Sequence, residues 1–288
     1  MKVIKDFDEY EILSLNRGRK IESWNNVVLD RPDPEVIWDD ENNIKKVDAK
    51  YERDSDGGGK WITKKEIKPW QIHYKNLTFN LKLMGFKHTG LFPEQAYNWN
   101  ILINAIKRVN RPVKVLNLFA YTGGATIAAA SAGASVLHVD SSRGMVDWAK
   151  ENLKSSNLED ADVRFFVDDV KKLVKREIRR GNKYDIIIMD PPSFGRGTKG
   201  EVWSIEKDLF NLVMDSCLLL SDDPLMFIIN SYSTGLSMSV LENILRLTVN
   251  KRFDGIIEKD ELGLPVDNSD IVLPAGVFAR WQSKKLEI

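Results

Sequence analysis

Hydrophobic positions along the chain alternate like strands before residue 84, and alternate in blocks of strand and helix after about residue 93. In WQIHYKNLTFNLKL (70–83), Ile72 and Tyr74, then Leu77, Phe79, Leu81 and Leu83 fall on every second position, with a break at Lys75-Asn76. That spacing predicts a β-hairpin with one buried face. Trp24, Trp38, Trp61 and Trp70 and the loop-like DSDGGGK at 54–60 lie in the same stretch. Residues 1–84 therefore predict a small β-rich N-terminal region, and 85–288 a separate α/β domain.

In that second part a helix over 93–109 opens with Pro93 and Glu94 in its first turn, as helix starts prefer. VKVLNLF (113–119) predicts a buried strand, ATIAAASAG (125–133) a small-residue helix, and SVLHVD (135–140) the next strand. A helix through Trp148, Leu153 and Leu158 follows, then strand VRFFV (163–167), a basic helix over 169–180 and strand YDIIIMD (184–190). Helix 207–220, strand LMFIIN (225–230), helix 239–249 and two final strands without a helix between them complete the chain. Such alternation builds a Rossmann-like sheet of seven strands, mostly parallel and covered on both faces, with the last strand antiparallel.

Composition narrows the chemistry. With 288 residues, 43% of them hydrophobic, the chain can bury a large core, as one big domain or a main domain with a smaller companion. Lys+Arg and Asp+Glu are both 42, so only local patches could attract nucleic acid. The single cysteine, Cys217, excludes an intramolecular disulfide and a Cys-rich zinc site. It lies in the apolar run LFNLVMDSCLLL and is expected to be a buried structural thiol. His73, His88 and His138 are too scattered to suggest a metal site, and His138, inside a strand, reads as a satisfied core residue. The N-terminus MKVIKDFDEYEILSL lacks the apolar stretch of a signal peptide, and no apolar run approaches the roughly 20 residues that span a bilayer. A cytoplasmic protein without a membrane partner is expected.

The candidate chemistry begins at NLFAYTGGATIAAASAGASVLHVDSS (117–142). A strand running into a glycine turn and then a helix directs backbone N–H groups at whatever occupies the strand's carboxyl end. The next strand ends on Asp140, where an acid can accept both ribose hydroxyls of a nucleoside. A nucleoside-containing cofactor is expected. The competing reading is that Gly123 and Gly124 serve only helix–strand packing and Asp140 only caps a helix. The spacing N-L-F-A-Y-T-G-G is neither the dinucleotide fingerprint nor a P-loop. Strand VRFFV runs into Asp168-Asp169, suited to an adenine amino group, and YDIIIMD runs into Asp190-Pro191-Pro192-Ser193-Phe194. Acid–Pro–Pro makes a rigid turn that presents a carboxylate and backbone carbonyls to a substrate.

NLFAYTGGATIAAASAGA, HVDSS, ENLKSSNL, FFVDDV and DPPSFGRG resemble class I S-adenosylmethionine-dependent methyltransferases. More narrowly, with GLFPEQAYNW (90–99) and LPAGVFARW (273–281), they resemble the bacterial family related to the 23S ribosomal RNA large-subunit methyltransferases. The resemblance spans about residues 90–288 and implies the seven-stranded methyltransferase sheet, S-adenosylmethionine as cofactor and ribosomal RNA as substrate and partner. It also implies site residues. Asn117, Phe119, Ala120, Tyr121, Thr122, Gly123 and Gly124 would hold the methionine part, Asp140 and Ser141 the ribose, and Asp168 or Asp169 the adenine edge. Phe92, Glu94 and Gln95 would form a wall near the cofactor. Asp190, Pro191 and Pro192 would face the methyl group and substrate, with Phe194 stacking on a base or simply packing its loop. Relatives that methylate carbon 5 of a pyrimidine carry a cysteine after the fifth strand. Asn230-Ser231-Tyr232-Ser233 has none, so methylation at nitrogen is expected if the substrate is a base, with ribose oxygen the weaker alternative in the absence of an evident catalytic lysine.

Two basic clusters remain open. KKLVKREIRR (171–180), with Arg196 and Lys199, could track phosphates or be a solvated helix face. Lys64, Lys65 and Lys68 near Trp61 and Trp70 could contact RNA or be ordinary surface. The alternative functions are methylation of a small molecule or protein, and a scaffold that binds RNA and cofactor without catalysis. The intact Asp190-Pro191-Pro192 argues against the scaffold.

Overall fold

The computed structural model describes residues 1–286 except 41–43, 45, 55–57, 198–199 and 234. Part of the expected glycine loop, and Lys199, thus lie outside the described residues. The chain divides into two compact units, one of Met1, Asn98–Glu261 and Gly276–Ile288, the other of Lys2–Tyr97 and Leu262–Ala275.

The second of these units is β-rich. Its strand β1 (Lys2–Val3) pairs in parallel with Leu262 and Gly263. A five-stranded sheet runs in the order β2 (Tyr10–Asn16), β3 (Arg19–Trp24), β4 (Val27–Pro32), β5 (Ala49–Arg53) and β6 (Gly59–Thr63). Only the β4–β5 pair within it is parallel. The expected hairpin is β7 (Trp70–Tyr74) with β8 (Leu77–Leu81), and Lys75 turns between them at φ 54°. Ile72, Tyr74, Leu77, Phe79 and Leu81 are buried, so the period-two pattern marked one inward face.

A buried ion pair crosses the five-stranded sheet. Arg31 donates Nε–H and Nη2–H to the two oxygens of Glu22 at 2.6 and 2.8 Å, and the Tyr10 hydroxyl donates to Glu22 at 2.6 Å. The guanidinium lies 5.2 Å from the Trp24 ring. Burial alone would raise the Glu22 pKa, but the charges of Arg31 and Lys20 and the hydrogen bonds hold it at about 2.

The other unit carries the α/β sheet. Helix α1 (Ala96–Arg108) follows a 3-10 turn at Pro93–Gln95. Then come β9 (Lys114–Leu118), α2 (Gly124–Ser131), β10 (Ser135–Asp140), α3 (Arg143–Ser155), β11 (Val163–Val167), α4 (Val170–Arg179) and β12 (Ile186–Met189). A ribbon of β13 (Phe194–Arg196) and β14 (Val202–Ser204), α5 (Ile205–Cys217), β15 (Met226–Ser231), α6 (Met238–Leu247), α7 (Val249–Arg252), β16 (Gly255–Pro265) and β17 (Val272–Ser283) complete it. The seven expected strands stand in the order β16-β17-β15-β12-β9-β10-β11, and β1 adds an eighth beside β16. β9, β10, β11, β12 and β15 pair in parallel, while β17 runs antiparallel to β15. The ends of β16 and β17 that meet at Leu262–Ala275 belong to the β-rich unit.

Most element limits differ from expectation by one to three residues, α5 for instance running Ile205–Cys217 instead of 207–220. α3 stops at Ser155, short of Leu158, because Asn157 takes φ 55° and the N–H of Leu158 bonds the Leu153 carbonyl. The β13–β14 ribbon had no counterpart in the sequence pattern. Among the described residues no helix is long and apolar enough to cross a membrane, and no group of three or more His, Cys, Asp or Glu could hold a metal ion.

Glu22→Gln leaves the Arg31 charge buried without its counter-ion and is expected to destabilise the β-rich unit by about 3–5 kcal/mol. Because the folded pKa lies below the unfolded value of ~4.3, the Glu22 contribution is complete above that value. It is lost as pH falls toward 2. Urea unfolding followed by tryptophan fluorescence should show wild-type stability dropping more steeply across that window than that of the variant. Equal pH slopes would remove Glu22 from the account.

Candidate functional site

The site is built from the carboxyl ends of four adjacent strands, and backbone hydrogen bonds stitch those ends together. The Asp168 N–H donates to the Asp140 carbonyl at 3.1 Å, that of Ala120 to Val139 at 3.0 Å, and that of Asp190 to Leu118 at 3.4 Å. Asp168, Asp140, the turn after β9 and Asp190 therefore follow one another along a single sheet edge, where open α/β sheets bind ligands.

The turn after β9 is held in an unusual shape. Phe119 and Tyr121 have φ of 55° and 50°, and Gly123 has 89°. Non-glycine residues reach that region only when their surroundings impose it. Asp140 supplies the restraint. Its Oδ2 accepts the Tyr121 N–H at 2.9 Å and its Oδ1 accepts the Ser142 N–H at 2.8 Å. Burial raises the Asp140 pKa, and the N–H groups of Ser142, Tyr121 and Ser141 oppose that rise. From α3, the Asn152 side-chain amide donates to the Thr122 carbonyl at 2.9 Å. α2 then starts at Gly124, and the N–H groups of its first turn lack partners within the helix.

The two glycines answer to packing as well as to the turn. A Cβ on Gly124 would stand 2.7 Å from the Trp99 ring, and one on Gly123 would stand 3.0 Å from the Ala149 Cβ. Asn117 does not face outward either. Its side chain donates to Thr126 Oγ1 at 2.9 Å, and Thr126 bonds His138 Nδ1 at 2.9 Å, in a buried row beneath the turn. His138 is thus bonded at one ring nitrogen, while its buried Nε2 has no hydrogen-bond partner among the described residues. Burial holds its pKa down at about 3, so it is neutral.

The two acids after β11 have separate jobs. Asp169 caps α4 by accepting the Lys172 N–H at 2.9 Å. Asp168 accepts its neighbour's N–H at 2.8 Å and pairs with Arg176 at 2.5 Å. Phe92 and Gln95 fall in the β-rich unit, where the Phe92 ring lies 5.4 Å from that of His88.

The Asp190-Pro191-Pro192-Ser193 loop is fixed by residues that sequence reasoning missed. Trp203 Nε1–H donates to the Pro192 carbonyl at 2.6 Å, and its ring lies 4.9 Å from that of Phe119. The Ser193 and Ser233 hydroxyls meet at 2.7 Å, which ties this loop to the one after β15. Phe194 is exposed. Cys217 is buried, and burial pushes its thiol up to about 11, as a structural role requires. A tryptophan spaced eleven residues beyond the second proline is the signal that could have been used; nothing in its local pattern sets it apart.

The sequence profile of the S-adenosylmethionine-dependent methyltransferase family matches residues 37–270. The solved S-adenosylmethionine-dependent methyltransferase of Agrobacterium tumefaciens is 34% identical. It covers 98% of this chain, which spans 93% of it, with a TM-score of 0.92. The ribosomal RNA large subunit methyltransferase K/L of Shewanella frigidimarina is 35% identical over 145 residues, 50% of this chain and 20% of that protein. The ribosomal RNA large subunit methyltransferase K of Neisseria meningitidis is 28% identical over 248 residues, 82% of this chain and 64% of its own length. The chain thus spans a fifth to a quarter of the length of the first curated relatives it matches.

Gly124→Ala should force Trp99 aside and lower stability by about 1–3 kcal/mol, the usual range for overpacking. Combined with Trp99→Leu, which opens that space, the added cost of the alanine should shrink, and urea midpoints of the four proteins would show it. An undiminished cost in the double variant would mean that the turn, not the ring, excludes the methyl group.

Proposed function

Because the chain belongs to the S-adenosylmethionine-dependent methyltransferases, we propose that it methylates a base of RNA, ribosomal RNA foremost, at a nitrogen atom. The observation that carries this reading is the hydrogen bond from the Asp190 N–H to Leu118, which sets the acid–Pro–Pro loop beside the cofactor turn. The names of the Shewanella and Neisseria relatives support RNA as the substrate. An enzyme acting on that substrate would work in the cytoplasm.

The chemistry of the donor set fits the cofactor. Asp140 retains lone pairs beyond those taken by Tyr121 and Ser142, and these would accept ribose hydroxyls. The first-turn N–H groups of α2 would receive the carboxylate. Asp168, braced by Arg176, would meet the adenine amino group, while Asp169 is engaged as a helix cap. Bound S-adenosylmethionine supplies a methyl group on a positively charged sulfur, already activated for transfer.

The protein's task is then alignment and exclusion of water. The Asp190 carboxylate and the Pro191 carbonyl would hold the N–H of the base, point its nitrogen at the methyl, and let Asp190 take the proton released. The Pro192 carbonyl is already engaged by Trp203. An RNA base would reach the site unpaired or extruded from its stack, with Phe194 as the stacking surface.

Purified protein incubated with labelled cofactor and ribosomal subunits, naked RNA or cell extract tests the substrate class; label entering only protein or small molecules would reject RNA. Within the site, Asp140→Ala should weaken cofactor binding by about 1.5–3 kcal/mol in calorimetry, as for hydrogen bonds to a charged group. Asp190→Ala should keep that affinity and lose most methyl transfer. A reversed pattern would exchange the two roles.

The atom has its own test. Carbon 5 of a pyrimidine needs a thiolate added at carbon 6, and the loop after β15 offers Tyr232 and Ser233 instead. Cys217→Ser should stay active within a few-fold, and mass spectrometry of digested RNA should find a nitrogen-methylated base. Finding 5-methylcytidine that disappears in Cys217→Ser would overturn the assignment.

A further inference from the structure

The β13–β14 ribbon that leaves the Asp190-Pro191-Pro192 loop has two unlike faces. Its register sets Phe194 opposite Ser204, Gly195 opposite Trp203 and Arg196 opposite Val202, so alternate residues share a face. The inner face holds Trp203, buried and tied to the Pro192 carbonyl. The outer face carries Phe194, 58% exposed, Val202, 51% exposed, and the exposed Arg196. The Arg196 guanidinium lies 5.9 Å from the Phe194 ring centroid.

Rigidity and charge set this face apart from the rest of the basic surface. The ribbon is strapped from behind: Lys171 donates to the Val202 carbonyl at 3.0 Å, Lys172 pairs with Glu201, and the Ser204 N–H donates to Asp208 at 2.9 Å. Four cations of the 171–180 run are taken up by acids, as Lys171–Asp208, Lys172–Glu201, Arg176–Asp168 and Arg180–Glu177. Arg196, among the described residues, meets no carboxylate, and its exposed guanidinium stands over one face of the exposed Phe194 ring. An exposed ring with a guanidinium 5.9 Å over its centroid offers a nucleotide a second ring face for its base and a cation for its phosphate.

We infer that the outer face of this ribbon is a nucleotide platform. A base of single-stranded or extruded RNA stacks on Phe194, its phosphate pairs with Arg196, and its sugar rests on Val202. This inference rests on RNA being the substrate and adds how the RNA strand is gripped beside the reaction centre.

Fluorescence anisotropy with a short, fluorescein-labelled single-stranded RNA of mixed sequence tests it, on the full chain with S-adenosylhomocysteine present. Salt is varied between about 50 and 200 mM. Arg196→Gln should lower affinity and reduce the slope of log affinity against log salt by about 0.7, the loss of one phosphate contact on a single strand. Phe194→Ala should lower affinity about tenfold with the slope unchanged, and Phe194→Tyr should restore it. Both effects are required. If the wild type binds and either substitution lacks its effect, the platform is wrong while RNA as substrate stands. If the wild type binds no RNA, the platform falls outright. Label then entering a protein or small molecule in the methyl assay would show that the RNA reading has fallen too.

Discussion

The Asp140 carboxylate holds the turn after β9 in a shape that the turn would not keep alone. Each non-glycine residue in the left-handed region costs about 1–2 kcal/mol, and Phe119 and Tyr121 both lie there. Asp140 takes the Tyr121 N–H with one oxygen and the Ser142 N–H with the other, which joins the turn to the entry of α3. That bridge fixes where α2 begins and so where its first-turn N–H groups are. It also explains why a half-buried acid is suited to the strand end. Burial works against its charge, the N–H groups work for it, and lone pairs remain for a ligand.

The sheet was legible because parallel strands covered on both faces appear as continuous apolar runs that end abruptly on an acid. β10 and β11 occupy the limits read from SVLHVD and VRFFV, and β7 and β8 follow their alternation. The ribbon was not legible. Its strands have three residues each, too few for a period to show, and one contains glycine. The glycine pair was legible only in part. A turn signal can be seen in the sequence, but the Trp99 ring and Ala149 methyl that exclude a Cβ come from other elements and appear only once the chain is folded. Asn117 shows the same limit: its place in the motif suggested a cofactor contact, and its side chain joins a buried row with Thr126 and His138.

Charge behaves alike. Read alone, KKLVKREIRR could be a phosphate track or a solvated face, and the whole chain is neutral. Asp168, Glu201 and Asp208, contributed by other segments, and Glu177 from within the run pair with four of its cations, which favours the solvated face over the phosphate track. Lysines and arginines that brace an adjacent ribbon and an adjacent acid are then part of the scaffold of the site. A basic run is therefore weak evidence for nucleic acid until its partners are known.

Catalysis by positioning demands that a loop proposed to face the substrate hold still before the substrate arrives, because order supplied in advance need not be supplied during the reaction. The Asp190-Pro191-Pro192-Ser193 loop meets that demand from three directions. Its first residue hydrogen-bonds β9 through Leu118, its third carbonyl accepts from Trp203, and its serine meets Ser233 beyond β15. The two prolines remove two backbone donors and fix two φ angles, so few internal bonds could stiffen the loop and neighbours must do so. Trp203 is the most economical of these neighbours. The same ring that holds Pro192 packs on Phe119, so a shift of the turn after β9 would reach the Asp190-Pro191-Pro192 loop through one side chain.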